Sequence, residues 1–294
     1  MKLGLCVPLR RYATPEFIRT LGTVSERLGF DELWVGEHVV MFDAHESDFP
    51  LTGEQMPGDP DDNVEIDLFT SLAYLAAVTS SIRLGSYVAI LPQRNPVYTA
   101  KEAANVDWLS NGRFDFGVGV GWSKEEFAAC GAEFARRGAR CRSYLEVVKR
   151  LWCDEVSEYD DEFYTLIPSR MAPKPVQKPH PPIILAGQSD ATLERVASQA
   201  QGWDSIGVEP PRIAEQIEKL KAKLAKHGRS RSDIVINACA GEYFSYDHDT
   251  FRQYNELGID QAIILEAATS SSPAELEAML ERLARDHLDF VKSL

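Results

Sequence analysis

The chain has 294 residues, a length that suits one large α/β barrel or two ordinary domains. Hydrophobic residues make up 44% and charged residues 26% of it, which excludes disordered, collagen-like and coiled-coil proteins. Asp and Glu outnumber Lys and Arg by 45 to 31, so the formal net charge is −14. A surface this acidic argues against nucleic acid or an anionic membrane as the main partner, although a local pocket for a small anion remains compatible with it.

The cysteines and the N-terminal segment predict the compartment. Five cysteines occur, at Cys6, Cys130, Cys141, Cys153 and Cys239. Their odd number and the absence of a CxxC pair indicate reduced thiols, not a disulfide framework or a zinc site. The first apolar run, over residues 2–7, is too short for a secretory signal or a membrane span. We therefore expect a soluble, cytoplasmic protein.

Short runs rich in Val and Ile alternate along the chain with amphipathic stretches of helical length. This alternation is typical of βα units that build a parallel sheet. The predicted strands cover residues 2–7, 32–36, 82–89, 114–119, 182–186, 203–208, 233–240 and 261–265. Strands that are each followed by a helix, in a chain of this length, favour one α/β domain over residues 1–294, a TIM (β/α)8 barrel.

The intervening helices carry recognisable start and stop signals. Thr14-Pro15 predicts the start of the first helix and Gly29 its end. Asn95-Pro96 and Pro210-Pro211 each predict a further helix start, and residues 272–275 read as a capping box before the last helix. These signals support the alternation of strands and helices.

Two segments do not fit a bare barrel and are interpreted as insertions. Residues 39–66 are polar and rich in Asp and Pro, whereas residues 153–181 are dominated by Pro, Lys and Tyr. We interpret each as following a strand and extending from the C-terminal face of the barrel. Long loops at that face usually carry function.

The most informative motif is the glycine-rich end of the fourth predicted strand. Gly117, Gly119 and Gly121 are spaced by two and are followed by Trp122. Such glycines allow the backbone to approach a ligand closely and to expose its N–H groups. The motif fails as a dinucleotide fingerprint, because Trp122 occupies the last glycine position. The spacing alone leaves open a second interpretation, in which glycine only avoids crowding in a tight barrel turn.

Two further strand ends carry polar residues. Glu37-His38 follow the second strand, at the catalytic rim of a barrel, where a histidine can exchange a proton near neutral pH. The alternative is a loop histidine held by a neighbouring carboxylate. Gly187-Gln188-Ser189 lead into a helix predicted over residues 190–199, whose N-terminus could bind phosphate. The alternative there is ordinary N-capping by Ser189.

Other chemistries are not supported by the sequence. It contains no phosphate-binding GxxxxGK[ST] loop, no HExxH and no GxSxG, and its six histidines are not paired at the spacing of helical metal ligands. We therefore predict no metal site. Without a strand-end lysine suited to Schiff-base chemistry, a cofactor-free aldolase, lyase or isomerase is also disfavoured.

A set of segments together carries a family resemblance. The segments are 33–38, 82–88, 91–97, 109–114, 117–122, 173–177 and 202–203. In this order they resemble the luciferase-like monooxygenase superfamily from residue 2 to about residue 210, and the nearest branch looks like oxidoreductases that depend on the deazaflavin F420. The remaining third of the chain matches only in pattern.

The resemblance implies that a flavin-type ring binds at the C-terminal mouth of the barrel. It places a strand bulge, often with a non-proline cis peptide, at Tyr87-Val88 against one face of the ring. It maps the family's phosphate contacts onto Gly119–Gly121 and onto the segment Gly187, Gln188 and Ser189. The sugar-phosphate dehydrogenases of the family have an acidic residue where this chain has Trp122. We therefore expect no activity on glucose 6-phosphate and interpret Trp122 as a wall of the pocket.

By the same resemblance, His38 lies near the reacting edge of the ring, as proton donor or acceptor, and Glu37 is expected to orient it. The function predicted is hydride transfer between F420 and a small organic substrate, with the cofactor supplying the redox chemistry. The alternatives are an FMN-dependent monooxygenase that uses O₂ and a non-catalytic flavin-binding protein. Since no pyridine-nucleotide fingerprint is visible, a separate reductase could supply the reduced cofactor. Relatives are commonly dimers, so we expect a homodimer.

F420 carries several negative charges, which an acidic protein must compensate locally. The glycine-turn N–H groups and the helix N-terminus after Ser189 are the first candidates. Arg94 and the arginines between residues 136 and 142 are the next. Their distance from the mouth is therefore the test of this prediction.

Overall fold

The computed structural model describes residues 1–43, 46–50, 53, 65–207, 209–241, 246–266 and 270–294. Parallel strands form a closed barrel in the order β3-β2-β1-β11-β10-β9-β8-β5, and β5 pairs back onto β3. The barrel strands are β1 (Lys2–Cys6), β2 (Glu32–Val35), β3 (Arg83–Ser86), β4 (Ala89–Ile90), β5 (Phe114–Gly119), β8 (Ile183–Ala186), β9 (Gly202–Ser205), β10 (Val235–Gly241) and β11 (Gln261–Leu265). The short β4 continues the wall of β3 beyond a bulge. Counting β3 and β4 as one strand, the barrel has eight strands, as predicted.

Helices surround this barrel. They are α1 (Pro15–Leu28), α2 (Leu68–Val78), α3 (Pro96–Leu109), α4 (Lys124–Ala129), α5 (Arg137–Cys153), α6 (Asp190–Gln199), α7 (Pro210–Lys226), α8 (His248–Glu256), α9 (Pro273–Leu283) and α10 (Asp289–Ser293). A π-helical turn, Ala284–Leu288, joins the last two helices. Within the described residues no helix is both long and apolar enough to cross a membrane.

The predicted helix boundaries are confirmed where a capping residue marks them. The side chain of Thr14 accepts a hydrogen bond from the Phe17 N–H, and Gly29 ends α1 with φ of 92°. Asn95 caps α3 through the N–H groups of Val97 and Tyr98. Local sequence therefore determines these helix ends directly.

A single tryptophan fills the centre of the barrel. The Trp34 side chain points inward from β2, and the inward positions beside it on neighbouring strands are glycines. A Cβ atom on Gly85 would lie 2.2 Å from the Trp34 ring, and one on Gly4 would lie 2.9 Å from its Nε1. Because interiors are close-packed, the large ring on one strand requires the missing side chains on the others.

The predicted position of the second insertion is wrong. Residues 153–181 follow the helix α5, not a strand, so the segment begins at the opposite end of the barrel from the mouth. Lys174 Nζ donates to the Leu151 and Asp154 carbonyls at the C-terminus of α5, both at 2.6 Å. Between these points the chain forms an antiparallel hairpin of β6 (Ser157–Asp160) and β7 (Thr165–Ser169) that packs along α5. The composition of this segment suggested a loop but did not show which element preceded it.

Candidate functional site

The predicted site residues come together at the C-terminal ends of the strands. Glu37-His38 follow β2, residues 119–122 end and follow β5, and residues 187–189 follow β8. Tyr87-Val88 form the bulge between β3 and β4. All these positions face one end of the barrel because its strands are parallel.

The bulge forms part of the floor of this mouth. The Tyr87–Val88 peptide bond is cis, at the position that the family resemblance implies, and both residues are half-buried. The Tyr87 ring packs edge-on against Trp34, with 5.7 Å between ring centroids. The central tryptophan therefore supports the floor from below.

The glycine-rich strand end has a packing role next to this bulge. A Cβ atom on Gly117 would lie 1.9 Å from the Ser86 carbonyl oxygen, and one on Gly119 would lie 2.4 Å from Val88 Cγ2. Gly121 has φ of 75°, a conformation that side-chain-bearing residues rarely adopt. The interpretation that these glycines avoid crowding is thus confirmed, whereas ligand contact at Gly119 and Gly121 stays a prediction.

His38 is held by a carboxylate from another element of the barrel. The Oε2 atom of Glu126, in the first turn of α4, lies 3.4 Å from His38 Nδ1, and its Oε1 accepts the Val39 N–H at 2.6 Å. Glu126 is only 3% exposed. The rings of His38 and Trp122 meet edge-on, with centroids 5.9 Å apart. We call His38, Glu65, Trp122 and Glu126 the histidine side of the mouth.

The environment of His38 favours its charged form. Burial opposes an imidazolium, but the hydrogen bond and charge of Glu126, together with the charges of Glu65 and Glu37, outweigh burial and raise the pKa of His38. Burial also raises the pKa of Glu65, whose carboxylate lies near His38 and Arg10. A cavity of about 90 Å³ opens beside these side chains, between the end of β2 and the start of α2.

Glu37 has a different role from the one predicted. Its Oε2 accepts the Ile90 N–H at 2.6 Å, and its Oε1 accepts from Arg94 Nη1. The carboxylate that contacts His38 is that of Glu126, so the expectation that Glu37 orients the histidine is corrected. Glu37 instead ties the loop after β2 to β4. Sequence reasoning missed Glu126, because the Ser123-x-x-Glu126 spacing matches ordinary helix capping.

The described part of the first insertion contacts the histidine side. Glu125 Oε1 accepts the backbone N–H groups of Glu46 and Ser47, at 2.7 and 3.2 Å. The Phe49 ring packs edge-on against Trp122, with centroids 5.5 Å apart. Residues 46–49 therefore lie against the histidine side, and Trp122 forms a wall between His38 and Phe49.

Arg137 and Arg195 lie on the other side of the mouth. Together with residues 187–189 they form what we call the arginine side. Arg137 Nε donates to the Gly121 carbonyl at 3.0 Å, and Arg195 Nη2 donates to Thr192 Oγ1 at 3.0 Å. Neither guanidinium pairs with a carboxylate in the part of the chain that the structure describes. Burial lowers the pKa of Arg137, and the nearby charge of Arg195 lowers it further. The pKa of Arg195 is likewise lowered, by burial and by the charge of Arg142.

The loop after β8 joins this arginine pair. Ser189 Oγ accepts the Thr192 N–H at 3.1 Å, which confirms the capping interpretation. The Gly187 carbonyl accepts from Trp203 Nε1 at 2.9 Å, and Gln188 Nε2 donates to the Ile206 carbonyl. The N-terminus of α6 and the two guanidiniums therefore form one positively polarised region. Phosphate binding by Gly187, Gln188 and Ser189 stays a prediction.

Of the other arginines named from the sequence, Arg94, Arg136 and Arg140 have partners of their own. Arg94 binds Glu37 and Glu102, and Arg136 pairs with Glu162 at the surface. Arg140 Nε donates to the Pro92 carbonyl at 3.1 Å. Only Arg137 of that group belongs to the arginine side. Its partner Arg195 was missed, because a lone arginine inside a helix gives no sequence signal.

Among the described residues, no group of three or more His, Cys, Asp or Glu side chains could hold a metal ion. The chemistry that this mouth offers is therefore that of a histidine with a raised pKa on one side and, within the described parts of the chain, two guanidiniums without a carboxylate partner on the other. A barrel with such a strand-end site has the arrangement of a TIM-barrel enzyme. The particular family follows from comparison with known proteins.

The family model described as luciferase-like monooxygenase matches residues 1–240. The chain therefore belongs to the luciferase-like monooxygenase family, a family of oxidoreductases. It is 33% identical over 267 residues to an uncharacterized protein of Mycobacterium tuberculosis, an alignment that covers 89% of this chain and 90% of that protein.

Solved structures share the fold. Monooxygenase RslO1 from Streptomyces bottropensis superposes with a TM-score of 0.77 at 20% identity, covering 98% of this chain and 99% of that one. The coenzyme F420 dependent tetrahydromethanopterin reductase from Methanopyrus kandleri gives a TM-score of 0.76 at 17% identity, covering 98% of both chains. The predicted barrel and the family resemblance are both confirmed.

Proposed function

We propose that this protein is an F420-dependent oxidoreductase that transfers a hydride between the deazaflavin and a small organic substrate. The observation that carries the proposal is the meeting, at Gly121-Trp122, of a carboxylate-held histidine and an unpaired arginine pair. The Gly121 carbonyl accepts a hydrogen bond from Arg137, and the Trp122 ring contacts His38. Two consecutive residues therefore join the two sides. A proton-exchanging group and an anion-binding region thus lie at one mouth.

The residues of the mouth fit a phosphate-bearing cofactor. Two half-buried guanidiniums without a carboxylate partner among the described residues favour an anion that compensates them. Arg137, Arg195 and the N-terminus of α6 would hold the phosphate, and the half-buried Tyr87 and Val88 would lie beneath the ring. The cofactor, when bound, supplies the hydride chemistry.

His38 would exchange a proton with the substrate. Its raised pKa favours the charged imidazole, the form that can donate a proton. Glu126 holds the ring in place through Nδ1, which leaves Nε2 as the exchanging atom. Trp122, packed between His38 and Phe49, would exclude water from that atom.

F420 is preferred over FMN because the arginine side is open to solvent. Ser189 and Asp190 are exposed at its edge, so a ligand that continues beyond its phosphate has room to leave the mouth. The similarity to the F420 dependent reductase supports the same choice. FMN is the second candidate, because two guanidiniums match the double charge of a terminal phosphate and because the family name describes monooxygenases.

Titration of the purified protein with F420 and FMN side by side tests this proposal. We expect F420 to raise Tm and to give a saturable difference spectrum, and to bind at least about tenfold more tightly than FMN. Tighter binding of FMN, or a yellow FMN chromophore in the protein as purified, would favour the monooxygenase. If neither cofactor changes Tm or the spectrum, the proposed function is wrong.

We also propose a homodimer, with a separate reductase as the source of reduced cofactor. The outer face of α3 exposes Tyr98 at 71%, Trp108 at 56% and Leu109 at 59%. Large apolar side chains on one exposed helix face are typical of subunit contacts. Light scattering of the wild-type protein and of a Trp108→Glu variant measures this: we expect a dimer and a monomer respectively.

A further inference from the structure

A buried carboxyl group lies directly beneath the floor of the mouth and has no part in the function proposed above. Asp204, near the end of β9, is 1% exposed. The hydroxyl of Tyr87 donates to its Oδ1 at 3.0 Å. Tyr87 itself is half-buried and faces the mouth. Asp204 therefore lies one side chain below the surface on which a ring would rest.

Asp204 is the upper end of a chain of polar side chains inside the barrel. Asn237 of β10 is its register neighbour, and Gln261 of β11 is the register neighbour of Asn237. Gln261 Nε2 donates to Glu32 Oε2 at 3.2 Å, near the end of the barrel opposite the mouth. Equivalent positions on parallel strands face the same side, so these side chains line the inner wall together.

The surroundings of Asp204 disfavour a negative charge. Burial raises its pKa to about 8, although the Tyr87 hydrogen bond and the nearby Asn237 side chain act in the opposite direction. The groups nearest to it are Tyr87 from the bulge, Asn237 from β10 and Tyr254 from α8; Cys6 and Cys239 lie near Tyr87, and Glu209 lies near Tyr254. None of these groups is a cation, and the favourable effects of Tyr87 and Asn237 on the ionised carboxylate are outweighed by burial.

We propose that Asp204 is a positioning residue that holds a proton beneath Tyr87, so that the floor of the mouth is uncharged when an anionic cofactor binds. This inference rests on the proposed function, because only a bound cofactor makes the charge of the floor matter. When Asp204 loses its proton to solvent, its charge repels the bound anion through a poorly screened interior. Cofactor affinity then falls as the pH rises through the alkaline range.

The test compares the wild-type protein with Asp204→Asn, Tyr87→Phe and the exposed control Asp249→Asn. The dissociation constants of F420 and FMN are measured by fluorescence titration between pH 6.5 and 9.5. For the wild type and the control, we expect the dissociation constant of the preferred cofactor to rise at least about fivefold over this range. For Asp204→Asn, we expect the dissociation constant to change less than about twofold, because the side chain cannot ionise. Any titration of the cofactor itself is common to both proteins, so the difference between them reports Asp204.

Tyr87→Phe gives an independent prediction, in which the pH dependence of cofactor affinity is shifted and not abolished. The Tyr87 hydroxyl stabilises the ionised form of Asp204, so its removal raises the pKa of Asp204. The inflection of cofactor affinity therefore moves to higher pH, whereas Asp204→Asn abolishes it. A purely structural role for Asp204 would weaken binding by the same factor at every pH.

A second measurement needs no cofactor. We expect the Tm difference between Asp204→Asn and the wild-type apoprotein to grow in favour of the variant from pH 5 to about pH 8 and then to level off. If Asp204→Asn keeps the wild-type pH dependence of affinity and of Tm, the inference is wrong while the proposed function stands. If the wild-type protein binds neither cofactor at any pH, the proposed function fails and the cofactor part of the inference falls with it, and the apoprotein measurement still reports the charge of Asp204.

Discussion

The two sides of the barrel mouth carry positive charge in different ways. On the histidine side, Glu126, Glu65 and Glu37 raise the pKa of His38 against burial and so favour its charged form. On the arginine side, the charges of Arg137 and Arg195 are permanent, and no carboxylate of the described residues pairs with them. A pH-dependent cation suits proton exchange, whereas a fixed cation pair suits the binding of an anion.

This difference also explains how an acidic protein can bind an anionic cofactor. The formal net charge is −14, yet the arginines near the mouth divide into those with partners and those without. Arg94 and Arg136 are neutralised by Glu37 and Glu162. Arg137 and Arg195 have no carboxylate partner among the described residues, so the local field there is opposite to that of the whole protein.

The largest expected effect separates the two sides by function. Replacing His38 with Ala removes the proposed proton donor, so we expect kcat to fall about 100-fold or more while the dissociation constant of the cofactor changes less than about threefold. The exposed His227, which pairs with Glu194, provides the control, and His227→Ala should retain wild-type turnover. A large loss of cofactor affinity in His38→Ala would contradict the division of roles.

The arginine side should show the converse pattern. We expect Arg195→Ala and Arg137→Ala each to weaken cofactor binding about 10- to 100-fold, the range for losing a charge-assisted hydrogen bond to phosphate. Arg136→Ala is the matched control, because Arg136 precedes Arg137 but pairs with Glu162 at the surface. If fluorescence titration gives all three variants the affinity of the wild-type protein, the cofactor phosphate does not bind at the arginine side.

Removing the carboxylate that holds His38 should shift a pH profile instead of abolishing activity. Glu126 raises the pKa of His38, so Glu126→Gln lowers it and the charged imidazole is lost at a lower pH. If His38 donates the proton, we expect the alkaline limb of kcat against pH to move to lower pH. The neighbouring Glu125→Gln is the control, since Glu125 contacts Glu46 and Ser47, and its profile should match the wild type.

The smallest effect on cofactor binding is expected at Gly119, the end of β5, from which the chain continues to Gly121 and Trp122. A Cβ atom on Gly119 would lie 2.4 Å from Val88 Cγ2, so we expect Gly119→Ala to lower the free energy of unfolding by about 1–3 kcal/mol, measured by urea denaturation. Adding Val88→Ala removes the atom that clashes and should recover part of this loss. A fully stable Gly119→Ala variant with at least tenfold weaker cofactor binding would instead assign Gly119 to ligand contact.

Much of the architecture followed from short-range patterns. The predicted strands match the observed barrel, and Thr14, Gly29 and Asn95 mark the helix ends at which they were placed. These features depend on residues within one helical turn or one strand, and the sequence displays them directly. The glycines at the end of β5 were recognised as special, but their role needed the position of Ser86 and Val88 on a neighbouring strand.

The sequence by itself determined the eightfold βα pattern, the family and the strand ends at which the site lies. Only the tertiary structure decided which side chains meet there. Glu126 lies 88 residues from His38, and Asp204 lies 117 residues from Tyr87. The physical reason is that hydropathy periodicity and capping are local, whereas hydrogen bonds, burial and the resulting pKa shifts depend on neighbours that only barrel closure brings together.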